Sequence, residues 1–183
     1  MKALTHAADV LLRGGVVAYP TEGVYGLGCI PDDSAALEKL LAIKRRDIGK
    51  GMILIAADPE QLDGWIDLPE GRALPAPDPR YPITWIVPPG PNVHPLVQGD
   101  NSGLAVRITT NPTAAALCRL TGSPLTSTSA NLSGQPTARN RWVLRRQFAS
   151  RVDYVVPGDC GPSSGPSEIR DFLTDRVLRA RTP

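Results

Sequence analysis

Two stretches, far apart in the chain, carry side chains suited to gathering anions. Lys44-Arg45-Arg46-Asp47-Ile48-Gly49-Lys50-Gly51 packs four cations into one short turn. Lysine offers phosphate a compact point charge and arginine a planar fork, so the two are not interchangeable. The chain has sixteen arginines and four lysines, yet two of those four are Lys44 and Lys50. The second stretch, Pro124-Leu125-Thr126-Ser127-Thr128-Ser129-Ala130-Asn131-Leu132-Ser133-Gly134, is dense in hydroxyls that each need a hydrogen-bond partner if buried. A strand leaving the core here would present Ser127, Ser129, Asn131 and Ser133 as a polar binding rim. No acid or histidine stands near them to activate a serine, which argues against covalent catalysis. Arg107 sits amid Leu104-Ala105-Val106 and Ile108, so its charge needs either a structural ion-pair partner or a bound anion. Pro20 to Cys29 reads as a loop with three glycines. It has neither a GxGxxG fingerprint nor the Lys-Ser/Thr of a P-loop. His94, on another loop, is assigned no catalytic role.

The elements that would position these groups follow from periodicity. Ser34 to Ile43, with Leu37, Leu40 and Leu41 at helical spacing and Asp32 or Asp33 as cap, forms a helix that runs into the cationic turn. Cations at a helix C-terminus gain about 0.3–1 kcal/mol from the macrodipole, so part of that cluster needs no functional explanation. Met52-Ile53-Leu54-Ile55-Ala56-Ala57 is an unbroken apolar run, read as a strand buried on both faces. Further helices are expected over Thr5–Arg13, Pro59–Ile66, Pro112–Leu120 and Arg139–Phe148. Strands are expected over Val16–Tyr19, Ile83–Val87, Leu104–Thr109, from Pro124 onward, Val152–Val156, Ser167–Phe172 and Arg176–Arg179. The proline-rich stretch 68–82 and the stretch 91–102 read as loops.

With 183 residues and no visible repeat or boundary, residues 1–183 read as one domain. Three widely spaced cysteines without a CxxC argue against a disulfide framework or a zinc site and suit a reducing compartment. No apolar run reaches membrane-spanning length, so no membrane partner is expected and a cytoplasmic setting is the default. Net charge is only +2, but it is segregated. Residues 51–100 hold two arginines against seven acids, whereas residues 101–150 hold six arginines and no acid. Such a distribution suits one positive surface and a phosphate-bearing partner.

Taken together, the motifs resemble the YrdC/TsaC family. Tyr19-Pro20-Thr21-Glu22 with Tyr25-Gly26-Leu27-Gly28-Cys29, then Lys44-x-Arg46-x3-Lys50-Gly51, Ala105-Val106-Arg107, Ser127 to Gly134, and Pro166-Ser167-Glu168-Ile169-Arg170-Asp171 occur in that family's order over nearly the whole chain. The resemblance implies an α/β fold, a single-domain twisted mixed sheet with flanking helices and a concave, positively charged cleft. It also implies threonylcarbamoyl-AMP synthase activity, a nucleotidyl transfer that joins L-threonine, bicarbonate and ATP into threonylcarbamoyl-adenylate with release of pyrophosphate. This is the first step of N6-threonylcarbamoyladenosine modification of tRNA. A downstream threonylcarbamoyl-transferase complex would take the product. Lys44, Arg46, Ser129 and Asn131 match the family's Lys-x-Arg and Ser-x-Asn pairs and would be catalytic. Lys50, Ser127, Arg107 and Arg179 would contact ATP or its phosphates, the two arginines alternatively a carboxylate, and Thr21 and Tyr25 would shape the threonine pocket. Mg²⁺ would accompany ATP, with no protein metal ligands assigned. Asp47 stands where relatives often carry proline, and Asp78-Pro79-Arg80-Tyr81-Pro82 replaces a common Trp-Pro-Gly-Pro.

Such chemistry is mainly the alignment of anions, a task for fixed cations and Mg²⁺ rather than a covalent nucleophile. Two other classes compete. One is a module that binds tRNA or double-stranded RNA through the same basic cleft without catalysis, although aromatic residues make up only 5% of the chain. The other is a carbamoyl-transfer domain, which lacks support because the segments accompanying such domains are missing. The catalytic reading requires the turn at 44–50 and the edge at 127–133 to face each other across one hollow. It further predicts that Lys44→Ala and Asn131→Ala each cost more than about tenfold in rate, with little loss of fold.

Overall fold

A computed structural model describes residues 2–132, 137–138, 140–163 and 165–181; Ser133, Gly134 and Arg139, named above, lie outside them. Five α-helices are present among these residues: α1 (Lys2–Leu12), α2 (Ser34–Lys44), α3 (Pro95–Gln98), α4 (Pro112–Thr121) and α5 (Arg141–Phe148). Their starts follow from their caps. Asp33 accepts from Ala36 N at 3.0 Å, Asn111 accepts from Thr113 N and Ala114 N, and Asn140 accepts from Trp142 N and Val143 N. The stretch 91–102 is not wholly irregular, because His94 caps the short α3 through Nδ1 and bonds Ser34 Oγ through Nε2 at 2.9 Å. The expected helix over Pro59–Ile66 is a 3₁₀ turn at Pro59–Leu62.

The strands are β1 (Val17–Pro20), β2 (Tyr25–Gly28), β3 (Ile53–Ala56), β4 (Ile83–Val87), β5 (Leu104–Ile108), β6 (Leu125–Ser129), β7 (Tyr154–Val155), β8 (Glu168–Asp171) and β9 (Val177–Arg179). They form one mixed sheet in the order β7-β1-β2-β6-β3-β5-β4-β8-β9, with parallel pairing at β7/β1, β3/β5 and β4/β8. This is the mixed α/β architecture with flanking helices that the resemblance implies.

A further expectation fails. Residues 25–28 are a strand, not a loop, pressed between β1 and β6. A Cβ at Gly28 would collide with the Thr126 carbonyl and the Tyr19 hydroxyl, so the glycine that suggests a turn here permits close backbone approach.

The two faces of the sheet are covered unequally. On one, α2 and α5 contribute Leu37, Leu40, Leu144 and Phe148 to a continuous core with Leu27, Leu54 and Val106. On the other, α1 and α4 pack together and bury Leu11, Leu117 and Cys118 against Tyr19, Ile55 and Leu125. Alternation along the strands then places Ile53, two residues before Ile55, on the stretch of this second face that these helices leave open. No described helix is long and apolar enough to cross a membrane.

Candidate active site

The hollow begins where α2 ends. Arg45 takes a left-handed conformation (φ 50°), and Arg46 N donates to Leu41 O at 3.1 Å, a Schellman-type reversal made without glycine. Asp47, in the place of the relatives' proline, accepts from Gly49 N at 3.1 Å and caps a 3₁₀ turn over Ile48–Lys50. Gly51 follows with φ 58° and ψ −176°, a combination open essentially to glycine. Its carbonyl is thereby turned to receive Arg46 Nε at 3.0 Å and Nη2 at 2.9 Å.

Lys44 points the other way, into the protein. Its Nζ donates to Ser129 O, to Asn131 O at 2.6 Å and to Asn131 Oδ1 at 3.0 Å. Ser129 Oγ donates to the same Oδ1 at 2.7 Å. Lys44, Ser129 and Asn131 are thus one hydrogen-bonded cluster, with Lys44 only 3% exposed. Burial, and secondarily the Arg46 charge, lower the Lys44 pKa to about 8. Its burial corrects the expectation that truncating it would leave the fold untouched, since the carbonyls it satisfies would be stranded.

In front of this cluster lies a cavity of about 260 Å³. Its floor is set by register. Ile53 pairs with Ser127 on one side and Ala105 on the other, Ala105 pairs with Ile86, and all four line the hollow. Arg46, Lys50, Ser127 and Ser129 line it from the two predicted segments, whereas Lys44 and Asn131 stand behind the lining. Thr21, Tyr25, Arg107 and Arg179 also line it. Arg179 Nη2 donates to Ser167 O at 2.8 Å, and burial followed by the Arg107 charge lowers its pKa, so these guanidiniums share one neighbourhood. Thr21 Oγ1 donates to Val24 O at 2.7 Å and Tyr25 OH to Gly158 O at 2.6 Å. Burial, then Cys160 and Asp159, raise the Tyr25 pKa.

The partner that Arg107 requires is Glu22, at 3.3 Å from Nη2 to Oε2. Glu22 is the one carboxylate among the described lining residues, and no role for it is foreseen from sequence. Burial alone would raise its pKa, but the Arg107 charge and hydrogen bonds from Thr109 and Thr110 prevail and lower it. The available signal was the unpaired charge inside β5; nothing in the spacing could say which acid answers it. No group of three or more His, Cys, Asp or Glu among the described residues could hold a metal ion.

The hollow can therefore present four cationic side chains and a row of hydroxyls to an anionic ligand, with no nucleophile activated by a base among its described residues. The Sua5/YciO/YrdC family model, described as telomere recombination, matches residues 9–181. A threonylcarbamoyl-AMP synthase of Stenotrophomonas maltophilia is 47% identical over 189 residues, covering 98% of this chain and 100% of that protein. One from Nitrosococcus oceani is 48% identical, covering 94% and 95%. P. abyssi Sua5 complexed with L-threonine superposes with a TM-score of 0.85 at 27% identity, over 96% of this chain and 53% of the other. E. coli YciO, at 24% identity and a TM-score of 0.81 over 97% and 88%, shares the fold. With a family match across almost the full sequence and near-half identity to whole relatives, the chain belongs to the Sua5/YciO/YrdC family.

Proposed function

We propose that this protein is a threonylcarbamoyl-AMP synthase, condensing L-threonine, bicarbonate and ATP into threonylcarbamoyl-adenylate and pyrophosphate. The observation that carries the reading is the junction of the 44–50 turn with the 127–131 edge through Lys44, around one cavity. Curated relatives of this name and the threonine-bound P. abyssi neighbour support it.

In this reading the reaction is helped by placement and charge. Arg46 and Lys50 meet phosphate oxygens, neutralising charge that builds as the carbamate oxygen attacks the α-phosphate and pyrophosphate departs. Lys44 fixes the Ser129 and Asn131 backbone, so that Ser129 and Ser127 offer polar contacts to the nucleotide at set positions. Thr21 and Tyr25 wall the amino-acid end, and Arg107 and Arg179 take its carboxylate or a phosphate. A positive cleft is part of this reading, supported by four cations against one carboxylate among the described lining residues. Mg²⁺ arrives on the ATP phosphates as part of the substrate, consistent with its usual reliance on phosphates and water. In this reading the enzyme works in the cytoplasm and feeds a downstream transferase complex.

The test is pyrophosphate and adenylate formation by the pure protein. Product should require both threonine and bicarbonate; release indifferent to threonine would refute the assignment. RNA contact has a separate observation in its favour. Arg141, Arg145 and Arg146 on α5 and Arg151 just after it are exposed, as is Trp142 at 67%, and none of these arginines is in a described ion pair. None lines the cavity, so RNA would bind beside the catalytic hollow rather than in it. Replacing these arginines with glutamate should abolish salt-dependent tRNA binding while leaving adenylate formation intact.

A further inference from the structure

Glu22 lines the cavity, yet the chemistry proposed above makes no use of it. It is 3% exposed, and Arg107 is 8% exposed. One carboxylate oxygen, Oε1, is fixed by Thr109 Oγ1 at 2.6 Å and Thr110 N at 2.9 Å. The other, Oε2, faces Arg107 Nη2 at 3.3 Å. The next residue, Asn111, donates from Nδ2 to Thr21 O at 3.0 Å while its Oδ1 caps α4. The turn bearing Thr21 and the start of α4 are hydrogen-bonded around one acid, and the strand bearing Arg107 meets it through an ion pair in which Oε2 and Arg107 Nε have no hydrogen-bond partner among the described residues.

Stability alone is a weak reason for such a lock, because a buried ion pair often does no better than well-packed apolar residues of similar volume. Orientation is a stronger one. An arginine reads a planar anion only when its fork is held still, and Glu22 occupies one side of the Arg107 guanidinium from within the protein. Arg107 also lies close enough to Arg179 to lower the latter's pKa, a pairing of like charges that a bound anion would relieve.

We propose that Glu22 is a positioning residue that holds the Arg107 guanidinium square to the cavity, so that it reads the carboxylate of the amino-acid substrate. This rests on the synthase reading above and adds an acid to it. The carboxylate is favoured over a phosphate because Glu22 adjoins Thr21, at the amino-acid end, whereas Arg46 and Lys50 enter from the α2–β3 connection.

The experiment compares steady-state constants of the wild type with Glu22→Gln, which keeps the shape and the acceptor for Thr109 but not the charge. The KM for L-threonine should rise about tenfold, while the KM for ATP and kcat stay within about twofold. A uniform rise in both KM values together with a lowered melting temperature would reduce Glu22 to a structural part. An unchanged KM for threonine, or a lower one, would show that it merely neutralises Arg107, and would equally overturn the proposal. Should the Gln variant fail to fold, Thr109→Val removes one donor from Oε1 and should shift the threonine KM alone, in the same direction and by less; no selective shift overturns the idea. If the wild type forms no adenylate, the synthase reading falls first. Calorimetry with L-threonine then decides this one: about tenfold weaker binding by Glu22→Gln supports it, and equal binding or none by either protein ends it.

Discussion

Lys44 is a residue whose charge is needed where charge is least comfortable. Its ammonium serves three carbonyl oxygens while nearly shut off from water, and its pKa is lowered to about 8. Below that value it is protonated and holds Ser129 and Asn131; above it the group loses both its charge and a donor. The reaction rate should therefore fall as pH rises through about 8, and Lys44→Arg, permanently charged, should lack that limb in a pH–rate profile. Stability should move oppositely. The unfolded lysine, with a pKa of about 10.4, binds more protons than the folded one between about pH 8 and 10, so unfolding free energy should increase across that window. Urea denaturation at either end of the window checks the sign. Lys44→Ala should lose more than about tenfold in rate and also about 1–3 kcal/mol of stability, because it strands buried carbonyls. Lys50, exposed and lining the cavity, isolates the electrostatic effect: Lys50→Ala should slow the reaction with little change in melting temperature.

At the scale of elements, the connection from α2 to β3 is a chain of caps, each dictated by one residue. Arg45 pays for a left-handed cap that glycine would adopt freely. Arg45→Gly should raise stability by about 1 kcal/mol, readable in denaturant titration, with activity unchanged because Arg45 does not line the cavity. Much of this layer is legible in the sequence: the leucine spacing of α2, its cap at Asp32 or Asp33 and the apolar run of β3 each carry a local signal. What is not legible is tertiary. β2 looks like a loop because its glycines answer neighbouring strands rather than their own chain. The inward turn of Lys44 depends on a partner strand far along the sequence. The pairing of Arg107 with Glu22 has a readable need but no readable answer. The two segments expected to meet do meet, as far as Asn131; Ser133 falls outside the described residues.

For the molecule as a whole, pH acts on several buried or bonded acids together. Glu22 is held below its ordinary pKa despite burial, Asp153 likewise by Lys39 and Val16 N, and Glu168 by the Tyr81 hydroxyl and Arg170. Each adds stability above the unfolded carboxyl pKa, near 4, and that contribution disappears as pH falls through the folded value. Acid titration should show a stability loss confined to pH below about 4–5, and shallower in Glu22→Gln. The cavity itself takes residues from Thr21 near one side of the sheet to Arg179 on the edge strand β9. The hollow's lining is therefore complete only once β9 has docked on β8, although β3, β5 and β6 at the sheet's middle are all drawn from residues 53–129, so the core of the sheet can assemble before the hollow closes on that side.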